Sequence, residues 1–282
     1  MKIVFLSSVE VGYLILKTVY KINKSVGIIY TLPLEKAKNI SGFFNYEPIA
    51  TKNNTILIRS DNINKKKHIQ EIKKYSPDLI LVCGWQRLVC SEILDIPRLG
   101  TIGFHTSLLP KYRGCAPVNW AIIMGEKKTG ITMFYLTPNA DDGDIIAQKE
   151  IPILFNDDCK SIYQKAAIAG SDLMEEFLPQ IQKETAPRLH NPSFSYPALP
   201  KRRPSDGLID FRRSALDIYN FVRALTKPYP GAFYYNVKRE KVIVWRIEIV
   251  FDETRLQPDD TVFDTLDFKV RVLDMEVIKE RY

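Results

Sequence analysis

KIVFLSSVEVGYLILKTVYKI, residues 2–22, joins an apolar, β-rich run through Ser7 and Ser8 to a segment whose apolar residues recur at helical spacing. A serine hydroxyl accepts a hydrogen bond from the amides that the first turn of a helix leaves unpaired, so the pair marks a strand-to-helix turn. Working outward, SVGIIYTL (25–32) is a second apolar strand and NNTILIRS (53–60) a third. Residues 61–75 form a polar helix, and DLILVCG (78–84) is a fourth strand. Strands that are apolar along their whole length and alternate with helices predict a sheet covered on both faces, hence a mostly parallel, Rossmann-like α/β fold. The stretch 33–52 is mixed and aperiodic and is expected to be a mobile loop. Further on come a strand (LGTIGFH, 99–105), a helix (APVNWAIIMG, 116–125) and a hairpin-like strand pair (129–137 with 144–153). A long amphipathic helix follows over 159–182.

From Lys183 to Gly207 the composition shifts to Pro, Ser, Asn and basic residues, the signature of a linker. The expected boundary is near Arg203, with a larger domain over 1–203 and a small α+β domain over 204–282. The latter holds a helix (SALDIYNFVRAL, 214–225), a Pro-Tyr-Pro-Gly turn and strands in AFYYNV and KVIVWRI. Neither G-x-G-x-x-G nor G-x-x-x-x-G-K-[ST] occurs.

The 282 residues are 45% apolar, as in ordinary globular proteins. No stretch approaches the roughly 18 apolar residues of a membrane span, and MKIVFLSS lacks the features of a signal peptide. A cytoplasmic protein without membrane association is expected. The four cysteines form no C-x-x-C pair and share no zinc-ligand spacing with the three histidines, so neither disulfides nor a metal are expected. The formal charge of +7 fits nucleic acid, an anionic membrane surface or a phosphorylated small substrate. Lys65, Lys66, Lys67, Lys73 and Lys74 read as the solvated face of a helix. Lys201, Arg202 and Arg203 follow a proline where no helical pattern requires charge, and form the better anion site.

In an open α/β sheet ligands collect at the carboxyl ends of the strands. Those ends carry Ser7 and Ser8, Cys83-Gly84-Trp85, His105, and the corner Asp141-Asp142-Gly143-Asp144. An aspartate beside a histidine fixes its tautomer and stabilises its imidazolium, which makes a usable general base and acid.

HTSLLPKYRGCAPVNWAIIMGEKKTGITMFYLTPNADDGDIIAQKEIPI (105–153) resembles the core of the 10-formyltetrahydrofolate-dependent formyltransferases, whose hallmarks are Asn-x-His-x-Ser-Leu-Leu-Pro-x-Tyr-Arg-Gly and a downstream Asp-x-Gly-Asp. The resemblance implies transfer of a formyl group from 10-formyltetrahydrofolate to an amine, through charge that develops on an oxygen and a nitrogen. It places His105, Asp141 and position 103 at the chemistry. The folate would lie in GWQRLV, on Gly84, Trp85, Gln86, Leu88 and Val89, with Asp141 alongside. The acceptor would meet Ser8, Gly12, Arg113, Gly114, Lys201, Arg202, Arg203, Tyr229 and Phe233. One position departs from the pattern: the family asparagine, which helps hold the formyl oxygen, is Gly103 here. Loss of such a donor costs about 2.7–4 kcal/mol. The His105 imidazolium, a backbone N–H, Asn119 or a water are candidate replacements.

RRPSDGLIDFRRSALDIYNFVRALTKPYPGAF (202–233) resembles the C-terminal portion shared by tRNA and sugar formyltransferases. The acids beyond it, Glu248, Asp252, Glu253, Asp259, Asp260, Asp264, Asp267 and Asp274, would repel tRNA phosphates. The resemblance therefore points to a nucleotide-linked amino sugar as acceptor, with folate as the other small-molecule partner, no nucleic acid, and a homodimer as one possible assembly. The alternatives are methionyl-tRNA formylation, or a catalytically weak binding homologue that lost turnover through Gly103.

Overall fold

The computed structural model describes residues 1–23 and 25–278. Its first compact unit comprises residues 1–115, 129–152 and 163–199. Seven strands form its sheet: β1 (Ile3–Ser7), β2 (Ile28–Thr31), β3 (Ile56–Arg59), β4 (Leu79–Cys83), β5 (Thr101–His105), β6 (Lys128–Tyr135) and β7 (Ile145–Pro152). Their order is β3-β2-β1-β4-β5-β6-β7. The first five pair in parallel, and β6 turns antiparallel to β5. β1, β4 and β5 are buried at every position. That is why their sequences are continuously apolar instead of alternating.

Helices α1 (Glu10–Asn23), α2 (Glu47–Lys52), α3 (Lys66–Tyr75), α4 (Ser91–Leu94), α5 (Pro117–Ile123) and α6 (Cys159–Gln182) intervene between or follow these strands. Lys66, Lys67, Lys73 and Lys74 are exposed on α3, whose His68, Ile69 and Ile72 face the core. An added methyl at Gly170 of α6 would meet Ile131 Cδ1 at 2.8 Å and Ile15 Cδ1 at 2.9 Å, so a glycine is what lets α6 lie this close to β6 and α1.

The stretch 33–52 departs from the loop expectation. It holds a 3₁₀ turn (Leu34–Asn39) and α2, and between them Tyr46 is completely buried. The Tyr46 hydroxyl donates to Ser7 Oγ at 2.7 Å and lies 2.8 Å from Val9 O, while Phe44 N–H donates to Ser8 O. Aperiodic sequence concealed a strap laced to the end of β1.

The second unit comprises residues 116–128, 153–162 and 200–282. It contains α5, the helix α7 (Ala215–Leu225) and an antiparallel sheet of β8 (Ala232–Tyr235), β9 (Lys241–Val250), β10 (Val262–Asp264) and β11 (Lys269–Ile278), ordered β10-β11-β9-β8. Ile218, Val222 and Leu225 of α7 pack on Ala232, Val244, Ile247 and Val270 of the sheet. Two of its strands, β10 and β11, lie beyond those expected in AFYYNV and KVIVWRI. Among the described residues no helix is long and apolar enough to cross a membrane.

Candidate active site

Parallel register brings three strand ends level: Ser7 pairs with Cys83, and Cys83 with Phe104. Ser8, Gly84 and His105 therefore stand in a row at one edge of the sheet. Ser8 Oγ donates to Gly84 O at 3.1 Å. Gly84 has φ +63°, and an added Cβ would lie 2.1 Å from Val9 Cγ2, so only glycine lets the β4 turn close against the β1 turn. Gly12 is buried for a similar reason: a Cβ there would meet Ser7 Oγ at 2.2 Å and Tyr46 Oη at 2.6 Å. Burial pushes the Cys83 thiol up to about 12, which leaves it protonated and unreactive.

His105 is 9% exposed. Its Nε2 lies 2.9 Å from Tyr112 O, and because a carbonyl only accepts, Nε2 carries the proton. In the neutral ring Nδ1 then holds the lone pair, 3.6 Å from Asp141 Oδ1, a spacing too long for a good hydrogen bond. Asp141 Oδ2 accepts from Gly114 N–H at 2.8 Å. Once Nδ1 takes a proton, both ring N–H groups face acceptors, Tyr112 O and Asp141. The pair can therefore receive a proton from a bound amine and hold it.

The loop that carries Tyr112 is pinned from below. Thr132, opposite His105 in β6 and fully buried, donates to Ser107 O at 2.6 Å and accepts from Leu109 N–H at 3.1 Å and from Gln148 Nε2 at 2.9 Å. Ser107 Oγ donates to Lys111 O at 2.8 Å. The acidic corner is fastened too: Arg113 Nη2 donates to Ala140 O, and Thr137 Oγ1 to Asp142 Oδ1. Gly114 has φ +99° and sits against the backbone of Leu199, so Arg113 and Gly114 act here through the backbone and the corner.

Gly103 shares the His105 face of β5, two residues back. A Cβ there would lie 2.5 Å from Leu136 Cδ2 and 3.1 Å from Phe134 Cε1. The Leu136 side chain fills the place of a residue-103 side chain and touches two apolar clusters, one containing Val82 and Val89 and the other Phe134 and Ile145. Asn119, a candidate replacement donor, spends its Nδ2 on Ala224 O at 2.5 Å within the second unit.

In the loop after β4, Gln86, Arg87 and Leu88 are exposed, Val89 is core, and Trp85 packs against the core with its Nε1 buried and without a hydrogen-bond partner among the described residues. Asn64, which sequence reasoning did not single out, holds this loop: its Nδ2 donates to Leu88 O and its Oδ1 accepts from Cys90 N–H, both at 3.0 Å. An orphaned indole N–H beside an exposed, anchored backbone fits a planar heterocycle with acceptor atoms.

Lys201, Arg202, Arg203, Tyr229 and Phe233 belong to the second unit. Lys201 and Arg203 are exposed. Arg202 stacks over Trp120 at 4.9 Å and Phe221 at 5.6 Å and donates to Asp206 O at 2.7 Å; burial lowers its pKa. Phe233 is 5% exposed, with Lys241 Nζ 4.0 Å from its ring centroid. Tyr229 is half-buried and donates its N–H to Thr226 O. Among the described residues no cluster of His, Cys, Asp and Glu has the makings of a metal site.

Residues 2–178 match the family described as formyl transferase, and residues 201–276 match the formyl transferase C-terminal domain. The chain belongs to the formyltransferase family. Among its relatives, the bifunctional polymyxin resistance protein ArnA of Wigglesworthia glossinidia brevipalpis is 34% identical over 100% of the chain, which spans 43% of that protein's length. The methionyl-tRNA formyltransferase of Clostridioides difficile is 35% identical over 94% of the chain and 85% of its own length. The N-formyltransferase of Helicobacter canadensis, solved in complex with folinic acid and dTDP-3-aminofucose, superposes with a TM-score of 0.72 at 18% identity, covering 96% of this chain and 98% of its own. At that identity the likeness establishes the formyltransferase fold alone.

Proposed function

We propose that the chain transfers a formyl group to the amine of a nucleotide-linked amino sugar, in bacterial surface-glycan synthesis such as that of O-antigen, in the cytoplasm. The carrying observation is the His105–Asp141 pair at the shared strand edge, with Nδ1 left as the ring's basic nitrogen. 10-Formyltetrahydrofolate supplies the formyl group. Gly84, Trp85, Gln86, Leu88 and Val89 would hold it through the loop that Asn64 anchors, and the orphaned Trp85 Nε1 supports that assignment. As the amine attacks, His105 Nδ1 takes its proton and Asp141 balances the imidazolium. No polar side chain stands at position 103, where Leu136 fills the space, and the proton held on Nδ1 passes to N10 of the folate as the bond from that nitrogen to the formyl carbon breaks.

Exposed Lys201 and Arg203 are the residues we assign to the acceptor's diphosphate. The amino-sugar reading draws on the acids of the second unit and on the acceptor bound by the Helicobacter canadensis neighbour. Methionyl-tRNA is the second reading, favoured by the 35% identity to the Clostridioides difficile enzyme. The test supplies purified protein and 10-formyltetrahydrofolate with a panel of UDP-, dTDP- and GDP-linked amino sugars, or with charged initiator tRNA. Formylation of one sugar nucleotide and none of the tRNA is expected; the converse refutes the assignment. Turnover of neither would leave a binding homologue as the remaining reading.

A further inference from the structure

We propose that Asn191 is a positioning residue that holds Asp141 in the conformation that faces His105; this rests on the pair being the proton-handling groups. Asn191 is 3% exposed, and its Nδ2 donates to Asp141 O at 3.1 Å and to Gly143 O at 3.2 Å. Both acceptors are carbonyls, so only the NH2 end of the amide can face them and its orientation is fixed. Its Oδ1 is buried and has no hydrogen-bond partner among the described residues. An unpaired buried acceptor is destabilising, a cost that an apolar side chain filling the same space would avoid. What the amide provides in return is the clamp on the turn.

That turn requires one. Asp141 is a non-glycine residue at φ +52°, and Gly143 has no room for a side chain, since a Cβ would lie 1.8 Å from Tyr135 O. The left-handed conformation at Asp141 sets the direction of its side chain, and with it both the contact to Gly114 N–H and the approach to His105 Nδ1. Release of the carbonyls at 141 and 143 lets the backbone relax toward ordinary φ, which swings the carboxylate off the ring. Asn191 reaches the turn because Leu189 and Ile145 exchange two backbone hydrogen bonds, of 2.8 and 2.9 Å, just before it.

The test is imidazole ¹⁵N NMR on protein labelled at histidine. Only three histidines are present, and His105 is assigned by the signal lost in His105→Gln. Asp141→Asn defines the shift that accompanies loss of the carboxylate. Asn191→Ala is expected to move the His105 ring resonances in the same direction by at least half as much, and Asn191→Ser, which keeps one donor, by less. With the acceptor that wild type turns over, Asn191→Ala is expected to lower kcat about 10- to 100-fold with the folate KM within about twofold, since small misplacements of reacting groups cost that much. The double variant with Asp141→Asn should be no slower than Asp141→Asn alone. His105 resonances unchanged in folded Asn191→Ala or Asn191→Ser, while Asp141→Asn moves them, overturn the proposal. So does a double variant a further tenfold slower. If Asp141→Asn itself leaves His105 unmoved, the pairing is wrong and both readings fall.

Discussion

At Asp141 the main chain accepts a conformation that costs a non-glycine residue about 1–3 kcal/mol, and the carboxylate gains the Gly114 amide and a place beside His105. Strain kept at such a point motivates the first prediction: His105→Ala abolishes formyl transfer in steady-state assays and Asp141→Asn leaves a residual kcat about a thousandfold or more below wild type, and a near-wild-type kcat in either contradicts the roles assigned. Gly103 and Leu136 make a second. Gly103→Asn drives a side chain into Leu136 and is expected to lower Tm, whereas Gly103→Asn with Leu136→Ala recovers more than the two separate losses predict, because one vacancy receives the other's volume. Arg202 and Arg203 also separate. Arg202→Gln should lower Tm by removing the stack on Trp120, while Arg203→Gln should raise the KM for a sugar nucleotide and leave Tm unchanged. His105, Asp141 and Gly103 were legible because they stand in an ordered motif. Asn191 and Asn64 were not, since each is a lone asparagine whose meaning comes from carbonyls 24 to 50 residues away.

The elements around the site owe their positions to small buried polar contacts as much as to apolar burial. The strap at 40–47 is the clearest case. Its Tyr46 hydroxyl ends in a pocket that exists because residue 12 has no side chain, and burial raises its pKa well above the ordinary phenol value. Tyr46→Phe is expected to destabilise by about 1 kcal/mol through loss of the buried hydroxyl's contacts with Ser7 Oγ and Val9 O, measured by denaturant unfolding. Periodicity does not report such a strap, because its order comes from a strand end far away in sequence. Continuous apolar strands and the amphipathic α1, α3, α6 and α7 were legible for the opposite reason: burial on a regular element imposes a period on the residues.

For the whole molecule, charge and burial set a window of stability. Asp78, which accepts from Lys2 N–H and the Arg98 guanidinium, is held below the usual carboxylate range, as is Glu71 by its contact with His68. A depressed carboxylate contributes fully above about pH 4 and loses that contribution as pH falls through its folded value. Buried Cys83 and Cys159 run the other way, pushed up to about 12; their contribution is present below about pH 8.5 and is lost as pH rises toward 12. Tm plotted against pH should show a plateau between these limits, and a Tm that keeps rising above pH 9 would contradict it. Under native conditions a thiol reagent should modify exposed Cys115 first and spare Cys83 and Cys159.

Residue types alone were enough to read β1 to β7 with α1, α3, α5 and α6 among them, then α7, β8 and β9, and to find the formyltransferase motif with its one departure at Gly103. These are local or periodic properties, written into the residue types at fixed spacing. The tertiary structure decided what depends on long-range contact. It turned β6 antiparallel, drew residues 116–128 and 153–162 into the second unit, and filled the gap above Gly103 with Leu136. It also tied Asp141 to a distant asparagine. Each requires a steric vacancy or an unpaired carbonyl to meet its complement in space, and no spacing along the chain encodes that meeting.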